Sequence, residues 1–328
     1  MKGEALLKLE NVKAYYKMGK YHVKAVDGVS FEILDGEVVG IVGESGCGKS
    51  TLANVIIMNI MRPLILLGGK IVMKVNGADV EISSMGREEA KRKIWGKEIT
   101  VIPQSAMNAL MPTIKLERFI RDIAKSHEID GDGLVKKAKV RFKEVGLDEE
   151  CLSRYPFELS GGMKQRAVIA IASLLNPQLL IADEPTSALD VVNQKVFLKV
   201  LMQLKRQGVI RSIIFISHDI ATVRQIATRM IIMYAGKIVE IALIEDILKN
   251  PLHPYTKGLF NSVLTPEPEI KKRGITTIPG APPNLIDPPK GCRFHPRCSY
   301  RKPICEKEEP KLIEVEPGRK VACFLYGG

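Results

Sequence analysis

Glycine, lysine and hydroxyl residues stand at fixed spacing between positions 43 and 51. The stretch reads Gly43-Glu44-Ser45-Gly46-Cys47-Gly48-Lys49-Ser50-Thr51. This G-x-x-x-x-G-K-[ST] pattern is typical of a loop whose backbone N–H groups surround a phosphate. In such a loop the Lys49 ammonium reaches the terminal phosphates, and the Ser50 hydroxyl is available to Mg²⁺. The pattern predicts a site for a nucleoside triphosphate.

The residues on either side predict the elements that position this loop. An apolar run at 38–42 precedes it and is typical of a buried strand. A mostly apolar segment at 51–61 follows and ends at Arg62-Pro63, as a helix does. A strand, a glycine turn and a helix together point a helix N-terminus at the bound anion. The other interpretation is a glycine-rich turn that only caps a helix, and the preceding strand disfavours it.

Two carboxylates, Asp183 and Glu184, end a second apolar run that begins at Leu179. Adjacent carboxylates at the end of a buried strand indicate a cation site, because their charges repel each other. We expect Asp183 to hold Mg²⁺ through its water shell. We expect Glu184 to accept a proton from, or to orient, the water that attacks the terminal phosphate. The alternative is that the pair only begins a solvated loop.

A third polar stretch, Ser160-Gly161-Gly162, precedes an apolar helical segment at 168–175. Its hydroxyl and exposed amides therefore lie at a helix N-terminus, which favours anions. The chain thus has two phosphate-binding elements that are far apart in sequence. This separation leaves room for a site that is shared between two subunits.

The remaining pattern predicts an α/β protein with a parallel core sheet, an antiparallel β subdomain and a helical subdomain. Strand pairs are expected at 6–34, 70–80 and 230–240, a buried strand at 213–219, and helical spacing at 113–150. After residue 248 the character changes to many prolines and four cysteines. We predict a nucleotide-binding domain at 1–248, with its helical subdomain at about 104–165, and a small Pro/Cys-rich domain at 249–328.

Charge and hydropathy exclude a membrane-spanning chain but do not select a partner. Lys and Arg total 49 against 37 Asp and Glu, a net charge of +12, and these residues are scattered. Such a balance suits nucleic acid, an anionic membrane face or phosphate ligands, but the scatter favours an ordinary solvated surface. The most apolar long segment, 55–67, is too short to cross a bilayer. The N-terminus lacks a signal-peptide core, so we expect a cytosolic protein.

The motifs at 43–51, 159–162, 180–190 and 216–219 stand in an order that resembles the ATP-binding-cassette (ABC) ATPases. The resemblance implies that Gln104 senses the γ-phosphate, is a Mg²⁺ ligand and contacts the transporter. It also implies that His218 contacts the γ-phosphate, that Tyr16 stacks on adenine and that Asp190 belongs to a loop crossing between two cassettes. Taken alone, Gln104 is a turn residue, Tyr16 a packed edge-strand side chain and His218 a satisfied histidine.

The resemblance further implies a head-to-tail dimer. In it, Ser160 and Gly162 of one cassette cover the ATP held at 43–51 of the other, and closure assembles the site. Glu184 and Ser160 are both present, so this subunit is expected to supply competent half-sites in a homodimer or a heterodimer.

Three further stretches are similar to the ATP-binding subunits of dipeptide and oligopeptide importers: 159–163, 253–256 and 278–283. The similarity implies membrane permease partners, a second cassette, an indirect link to an extracytoplasmic solute-binding protein, and a peripheral place on the cytoplasmic face of the membrane. Members of this family handle dipeptides, longer peptides, oligosaccharides or nickel, so the similarity implies one of these solutes. The alternative is a soluble ABC ATPase acting on nucleic acid, which the absence of a coiled-coil insertion and of a second cassette disfavours.

Four of the cysteines are clustered: Cys292, Cys298, Cys305 and Cys323. In a cytosolic protein such thiols favour metal ligands over disulfides. Short zinc knuckles are missing. The pattern resembles a C-terminal motif of the same importer subunits that holds a [4Fe–4S] cluster in some members, and zinc or no metal are the alternatives. Cys47 and Cys151 are interpreted as small packing residues.

Overall fold

A computed structural model describes residues 3–104, 106–187, 189–261 and 278–327, so Ala188 of the 180–190 motif lies outside the described residues. The strands are β1 Ala5–Met18, β2 Tyr21–Leu34, β3 Val38–Val42, β4 Leu64–Val75, β5 Ala78–Glu81, β6 Ile99–Ile102, β7 Leu179–Asp183, β8 Ser212–Ser217, β9 Arg229–Tyr234, β10 Lys237–Leu243, β11 Ile313–Glu316 and β12 Arg319–Val321. The helices are α1 Lys49–Ile56, α2 Arg87–Lys93, α3 Leu116–Ser126, α4 Gly131–Glu144, α5 Gly161–Ala172, α6 Val191–Arg206, α7 Ile220–Arg224, α8 Ile244–Lys249 and α9 Pro254–Asn261.

The chain divides into two compact units. Unit 1 comprises Met1–Ile33, Val38–Ser83 and Ile216–Gly328, and unit 2 comprises Leu34–Glu37 and Ser84–Phe215. The phosphate-loop motif and His218 therefore belong to unit 1. Gln104, the carboxylate pair and the serine-glycine motif belong to unit 2.

Unit 1 contains an antiparallel sheet and a mixed one. The first has the strand order β2-β1-β4-β5, and the turn between β4 and β5 uses Asn76 and Gly77, both with positive φ. The second runs β11-β12-β10-β9-β3, and β3 is parallel to β9. All five residues of β3 are buried. A strand buried on both faces has no polar positions, and β3 consists of four apolar residues and one glycine.

Unit 2 combines a parallel strand pair with helices. Strands β6 and β7 are parallel, with Ile99 opposite Leu179, and all residues of β7 are buried. Helices α3 and α4 fall within the predicted helical region, and their apolar faces supply buried residues such as Ile120 and Phe142. None of the helices in the described ranges combines the length and apolar character needed to cross a membrane.

Helix α1 is shorter than its sequence predicts. The apolar segment suggested a helix reaching Met61, whereas α1 ends at Ile56. The helix ends in a turn at Met58, whose φ is +55°, and β4 begins at Leu64, so the remaining apolar residues lead into a strand. A helix cannot continue through a left-handed residue.

The C-terminal extension pairs with the strands that precede it. Strand β12 is antiparallel to β10, with Glu240 opposite Val321 and Ile241 opposite Lys320. The domain boundary near residue 248 stays a prediction, and this pairing crosses it.

Candidate nucleotide site

The phosphate loop of unit 1 connects β3 to α1 through glycines that no other residue can replace without strain. Gly48 has a φ of +107°, and a Cβ there would lie 1.9 Å from the carbonyl oxygen of Ala25. A Cβ on Gly43 would lie 2.2 Å from the carbonyl oxygen of Met233. The loop thus lies directly on neighbouring backbone, and its glycines provide the close approach that the motif predicted.

Lys49 is the first residue of α1, and its side chain folds back over the loop. The residue is 5% exposed, and its Nζ donates to the carbonyl oxygens of Gly43 at 2.7 Å and Glu44 at 3.0 Å. The Sγ of Cys47 lies 3.8 Å from the same Nζ, and burial raises the pKa of that thiol. The ammonium is therefore held inside the loop, where a phosphate would bind, while Ser45 and Gly46 are exposed at its tip.

Two neighbouring tyrosines of β1 have different partners. The Tyr16 hydroxyl lies 3.1 Å from Oγ1 of Thr51 in α1, whereas the Tyr15 hydroxyl donates to Oδ1 of Asp27 at 2.7 Å. Of the two, Tyr16 therefore contacts the helix that follows the phosphate loop. Its stacking on adenine stays a prediction.

His218 follows β8 at the start of a short helix. The next residue, Asp219, is the N-cap of α7 and accepts a hydrogen bond from the backbone N–H of Ala221 at 2.9 Å. The contact of His218 with a γ-phosphate stays a prediction.

In unit 2 the carboxylate pair lies at the end of β7, as its sequence predicts. Asp183 is 7% exposed and Glu184 is half-buried. Glu184 has a φ of +45°, a left-handed conformation that is costly outside glycine and is concentrated at functional sites. Gln104 Nε2 donates to Glu184 Oε2 at 3.5 Å, so these two residues meet within the unit.

The serine-glycine motif begins α5. Ser160 is its N-cap and accepts a hydrogen bond from the backbone N–H of Met163 at 3.3 Å. Gly161 and Gly162 form the first turn, and both Ser160 and Gly161 are exposed. The positive end of this helix therefore faces solvent within unit 2.

Asp190 caps α6 close to that motif. It accepts hydrogen bonds from the Asn193 backbone N–H at 2.8 Å and from Asn193 Nδ2 at 2.6 Å, and the first of these lowers the pKa of Asp190. A Cβ on Gly162 would lie 3.0 Å from Asn193 Oδ1. Our sequence interpretation did not select Asn193, although its place three residues after an N-cap aspartate is a recognisable signal.

Two residues of the C-terminal extension contact the phosphate loop and were also missed. The Tyr255 hydroxyl accepts a hydrogen bond from the backbone N–H of Glu44 at 2.8 Å. Arg297 forms an ion pair with Glu44, 2.7 Å from Oε2. Neither residue carries a local motif that assigns it to a nucleotide site.

The four clustered cysteines line one small cavity of about 10 Å³, together with other residues of the extension. Burial raises the pKa of Cys292 to about 12 and also raises the pKa values of Cys298 and Cys323. No group of three or more His, Cys, Asp or Glu side chains in the described part of the chain has the geometry to hold a metal ion. The thiols therefore share a cavity without forming a preformed metal centre. Cys47 and Cys151 are buried, in agreement with a packing role.

The predicted nucleotide residues are thus grouped in two sets. Unit 1 holds Tyr16, the loop at 43–51 and His218, and unit 2 holds Gln104, 160–162, Asp183, Glu184 and Asp190. The predicted Mg²⁺ ligands are divided between Ser50 in the first set and Gln104 and Asp183 in the second. Their hydroxyl, amide and carboxylate oxygens are the donor types that Mg²⁺ prefers.

Two family models match the chain. One, described as ABC transporter, matches residues 26–187. The other, described as the C-terminal region of oligopeptide and dipeptide transporters, matches residues 239–305. The second match includes Tyr255, Arg297 and three of the four clustered cysteines.

Relatives cover nearly the whole chain. The dipeptide transport ATP-binding protein DppD of Caldanaerobacter subterraneus is 42% identical over 324 residues, covering 98% of this chain and 97% of its own length. The oligopeptide transport ATP-binding protein AppD of Bacillus subtilis is 39% identical over 330 residues, covering 98% of this chain and 97% of its own length.

Solved structures of ABC cassettes confirm the predicted α/β nucleotide-binding fold. A dimeric bacterial ABC transporter cassette matches with a TM-score of 0.62 and 27% identity, covering 73% of this chain and 98% of its own. A dimeric post-hydrolysis cassette bound to ADP and phosphate matches with a TM-score of 0.61 at the same identity and coverage. The motif set, both family models and the full-length relatives agree: this chain belongs to the ABC-transporter ATP-binding proteins of the dipeptide and oligopeptide family.

Proposed function

We propose that this chain is the ATP-hydrolysing subunit of an importer for dipeptides or oligopeptides, or for a related small solute such as an oligosaccharide or nickel. The observation that carries the proposal is the full-length similarity to the dipeptide transport ATP-binding protein, 42% over 98% of this chain. That similarity spans both the cassette and the C-terminal extension. The residues that the sequence motifs assign to hydrolysis are present in addition.

The chemistry follows from the two residue sets. Backbone N–H groups at 43–51 and the Lys49 ammonium bind the phosphates, and the Tyr16 ring supports the base. Bound Mg²⁺ would be held by Ser50, Gln104 and Asp183 and would neutralise phosphate charge. Glu184 accepts a proton from the attacking water. Gln104 contacts the Glu184 carboxylate and in this way helps to orient that water.

A second cassette completes the site. Ser160, Gly161 and Gly162 at the exposed start of α5 bind the γ-phosphate held by the partner's loop, and the loop containing Asp190 crosses between the two cassettes. ATP binding then closes the dimer, and hydrolysis reopens it. The partner is a second copy of this chain or a related cassette.

A groove in unit 2 supports docking on a membrane permease. It has a volume of about 240 Å³, and its lining includes Pro103, Phe119, Ile123 and Ile171. Pro103 directly precedes Gln104, so a permease segment seated in this apolar groove would press on the residue that contacts Glu184. We infer that the chain works at the cytoplasmic face of the membrane and serves an extracytoplasmic solute-binding protein indirectly.

The four clustered thiols are proposed to take up a metal group, a [4Fe–4S] cluster or zinc. Their shared cavity and soft donor atoms favour this, although they would have to rearrange and lose protons on binding. Anaerobically purified protein is expected to contain iron and acid-labile sulfide, or zinc instead. If the purified protein contains neither iron nor zinc in stoichiometric amount, the four cysteines are free thiols and the proposal is wrong. The C298S variant is expected to lose the metal group.

Reconstitution tests the transport function. The chain is purified with its permease subunits in proteoliposomes, and solutes bound by the associated binding protein are assayed for ATP-dependent uptake. I123D places a carboxylate in the docking groove and should abolish co-purification with the permease. V140D places one on α4 at a side chain that is 58% exposed and outside the groove, and should not. Salt-dependent DNA binding without permease association would overturn the proposal.

A further inference from the structure

One arginine of the C-terminal extension pairs with a carboxylate of the phosphate loop. Arg297 Nη1 donates to Glu44 Oε2 at 2.7 Å, and Nη2 donates to Oε1 at 3.0 Å. The arginine side chain is 7% exposed and the glutamate side chain 24%. A bidentate arginine–carboxylate pair constrains orientation as well as distance. The second residue of the phosphate loop is therefore held by a residue 253 positions further along the chain.

Arg297 is itself firmly placed. Its Nε donates to the carbonyl oxygen of Pro279 at 2.8 Å, and Nη1 also lies 3.3 Å from the hydroxyl of Tyr234. The guanidinium lies 5.8 Å from the centre of the Tyr234 ring. With its donors engaged in this way, the side chain has little freedom to leave Glu44.

The backbone of Glu44 is held as well as its carboxylate. Its N–H donates to the Tyr255 hydroxyl at 2.8 Å, and its carbonyl oxygen accepts from Lys49 Nζ at 3.0 Å. Tyr255 packs on Tyr234 and Phe294, with ring centres 4.6 Å and 5.5 Å away. One face of the phosphate loop therefore lies against an aromatic cluster contributed largely by residues beyond 233.

Stability alone does not account for this arrangement. A buried ion pair gains little net folding energy, because desolvation offsets most of the attraction. What such a pair does consistently is to fix the positions of the two residues that form it. Phosphate binding depends on such fixed positions, because the N–H groups of the loop must converge on one anion. Glu44 lies at the centre of these contacts and directly follows Gly43 in the loop.

We propose that Arg297 is a positioning residue for the nucleotide: it holds Glu44, and through it the start of the phosphate loop, in the conformation that binds ATP. The C-terminal extension is therefore part of the nucleotide site, although Arg297 acts only through Glu44. The inference rests on the proposed binding of ATP at the loop but is independent of the transported solute.

The test compares ATP affinity and hydrolysis in full-length variants. R297A is expected to raise both the Kd for ATP and the KM by about tenfold while kcat changes less than about twofold. R297K should recover part of the affinity, because an ammonium reaches one carboxylate oxygen but cannot pair with both. R297A should add little further loss to E44Q, because both changes remove the same bidentate ion pair.

R319A is the matched control. Arg319 lies in the same extension, its side chain is 8% exposed, and it pairs with Glu316 at 3.3 Å and with the carbonyl oxygen of Asn250 rather than with the loop. The R319A variant should lower the midpoint temperature of thermal unfolding and leave the Kd for ATP at the parent value. A parent-like Kd in R297A, or an equal rise in R319A, would overturn the proposal. If R297A does not unfold cooperatively, R297K and E44Q carry the comparison. A parent chain that does not bind ATP would instead refute the proposed function.

Discussion

The two helix N-termini assigned to phosphate binding differ in how they are held. At the start of α1, Gly43, Cys47 and Lys49 are buried, and the adjoining Glu44 is held by Tyr255 and Arg297. At the start of α5, Ser160 and Gly161 are exposed, and the serine caps only its own helix.

The difference indicates what each element contributes. A loop fixed by surrounding side chains binds an anion without reorganising, which suits the element that holds ATP in each subunit. An exposed helix start presents its positive end to groups from outside the unit. We therefore propose the first element as the binding site, and the second as one suited to complete a site in another molecule.

Removing the carboxylate assigned to proton transfer should change hydrolysis more than any other substitution considered. E184Q should reduce kcat for ATP hydrolysis by at least about 100-fold while ATP binding persists, because the amide cannot accept the proton. Phosphate release and equilibrium binding measure the two quantities. E150Q, an exposed glutamate of the same unit, should behave like the parent. Parent-like hydrolysis in E184Q would show that the base lies elsewhere.

A charge at the exposed helix start should separate the two elements. S160E places a carboxylate opposite the partner's phosphates, so hydrolysis should fall at least about tenfold through like-charge repulsion. ATP binding to the monomer should stay within about twofold of the parent, since the α1 loop is untouched. S153E changes an exposed serine of the same unit in the same way and should leave hydrolysis intact. Equal losses in both variants would remove the distinction between the two helix starts.

Much of this site is predictable from local sequence. The glycine loop, the carboxylates at the end of β7 and the caps of α5 and α6 are contiguous patterns, so their positions follow from motif and spacing. The ion pair between Arg297 and Glu44 is not predictable, because the two residues are 253 positions apart and only tertiary packing brings them together. Prolines and cysteines indicated a boundary near 248, yet the pairing of β12 with β10 depends on strand register, which composition does not report.

The smallest effect concerns the extension that supports the loop. Burial lowers the pKa of His253 to about 3, and its Nδ1 accepts a hydrogen bond from the Tyr255 N–H at 3.0 Å. The folded imidazole stays neutral while the unfolded one is protonated below its usual pKa of about 6.5. Its contribution to stability is therefore complete above that pH and is lost as the pH falls toward 3.

H253N keeps an acceptor that does not titrate, which isolates this effect. Between pH 7 and pH 5 the parent should lose about 2 kcal/mol of unfolding free energy relative to H253N. Denaturant unfolding at several pH values measures the difference. Parallel pH profiles for the two proteins would mean that His253 does not resist protonation in the folded state.

Mixing two inactive variants tests whether each site combines the loop of one chain with the α5 start of another. K49A loses phosphate binding, and S160E loses the covering helix end, so each alone should hydrolyse little ATP. In a mixed dimer one site joins the intact loop of the S160E chain to the intact motif of the K49A chain. Hydrolysis is expected to recover to a substantial fraction of the parent rate on mixing. Where the parent chain hydrolyses ATP as a homodimer, a mixture no more active than its components would contradict this claim.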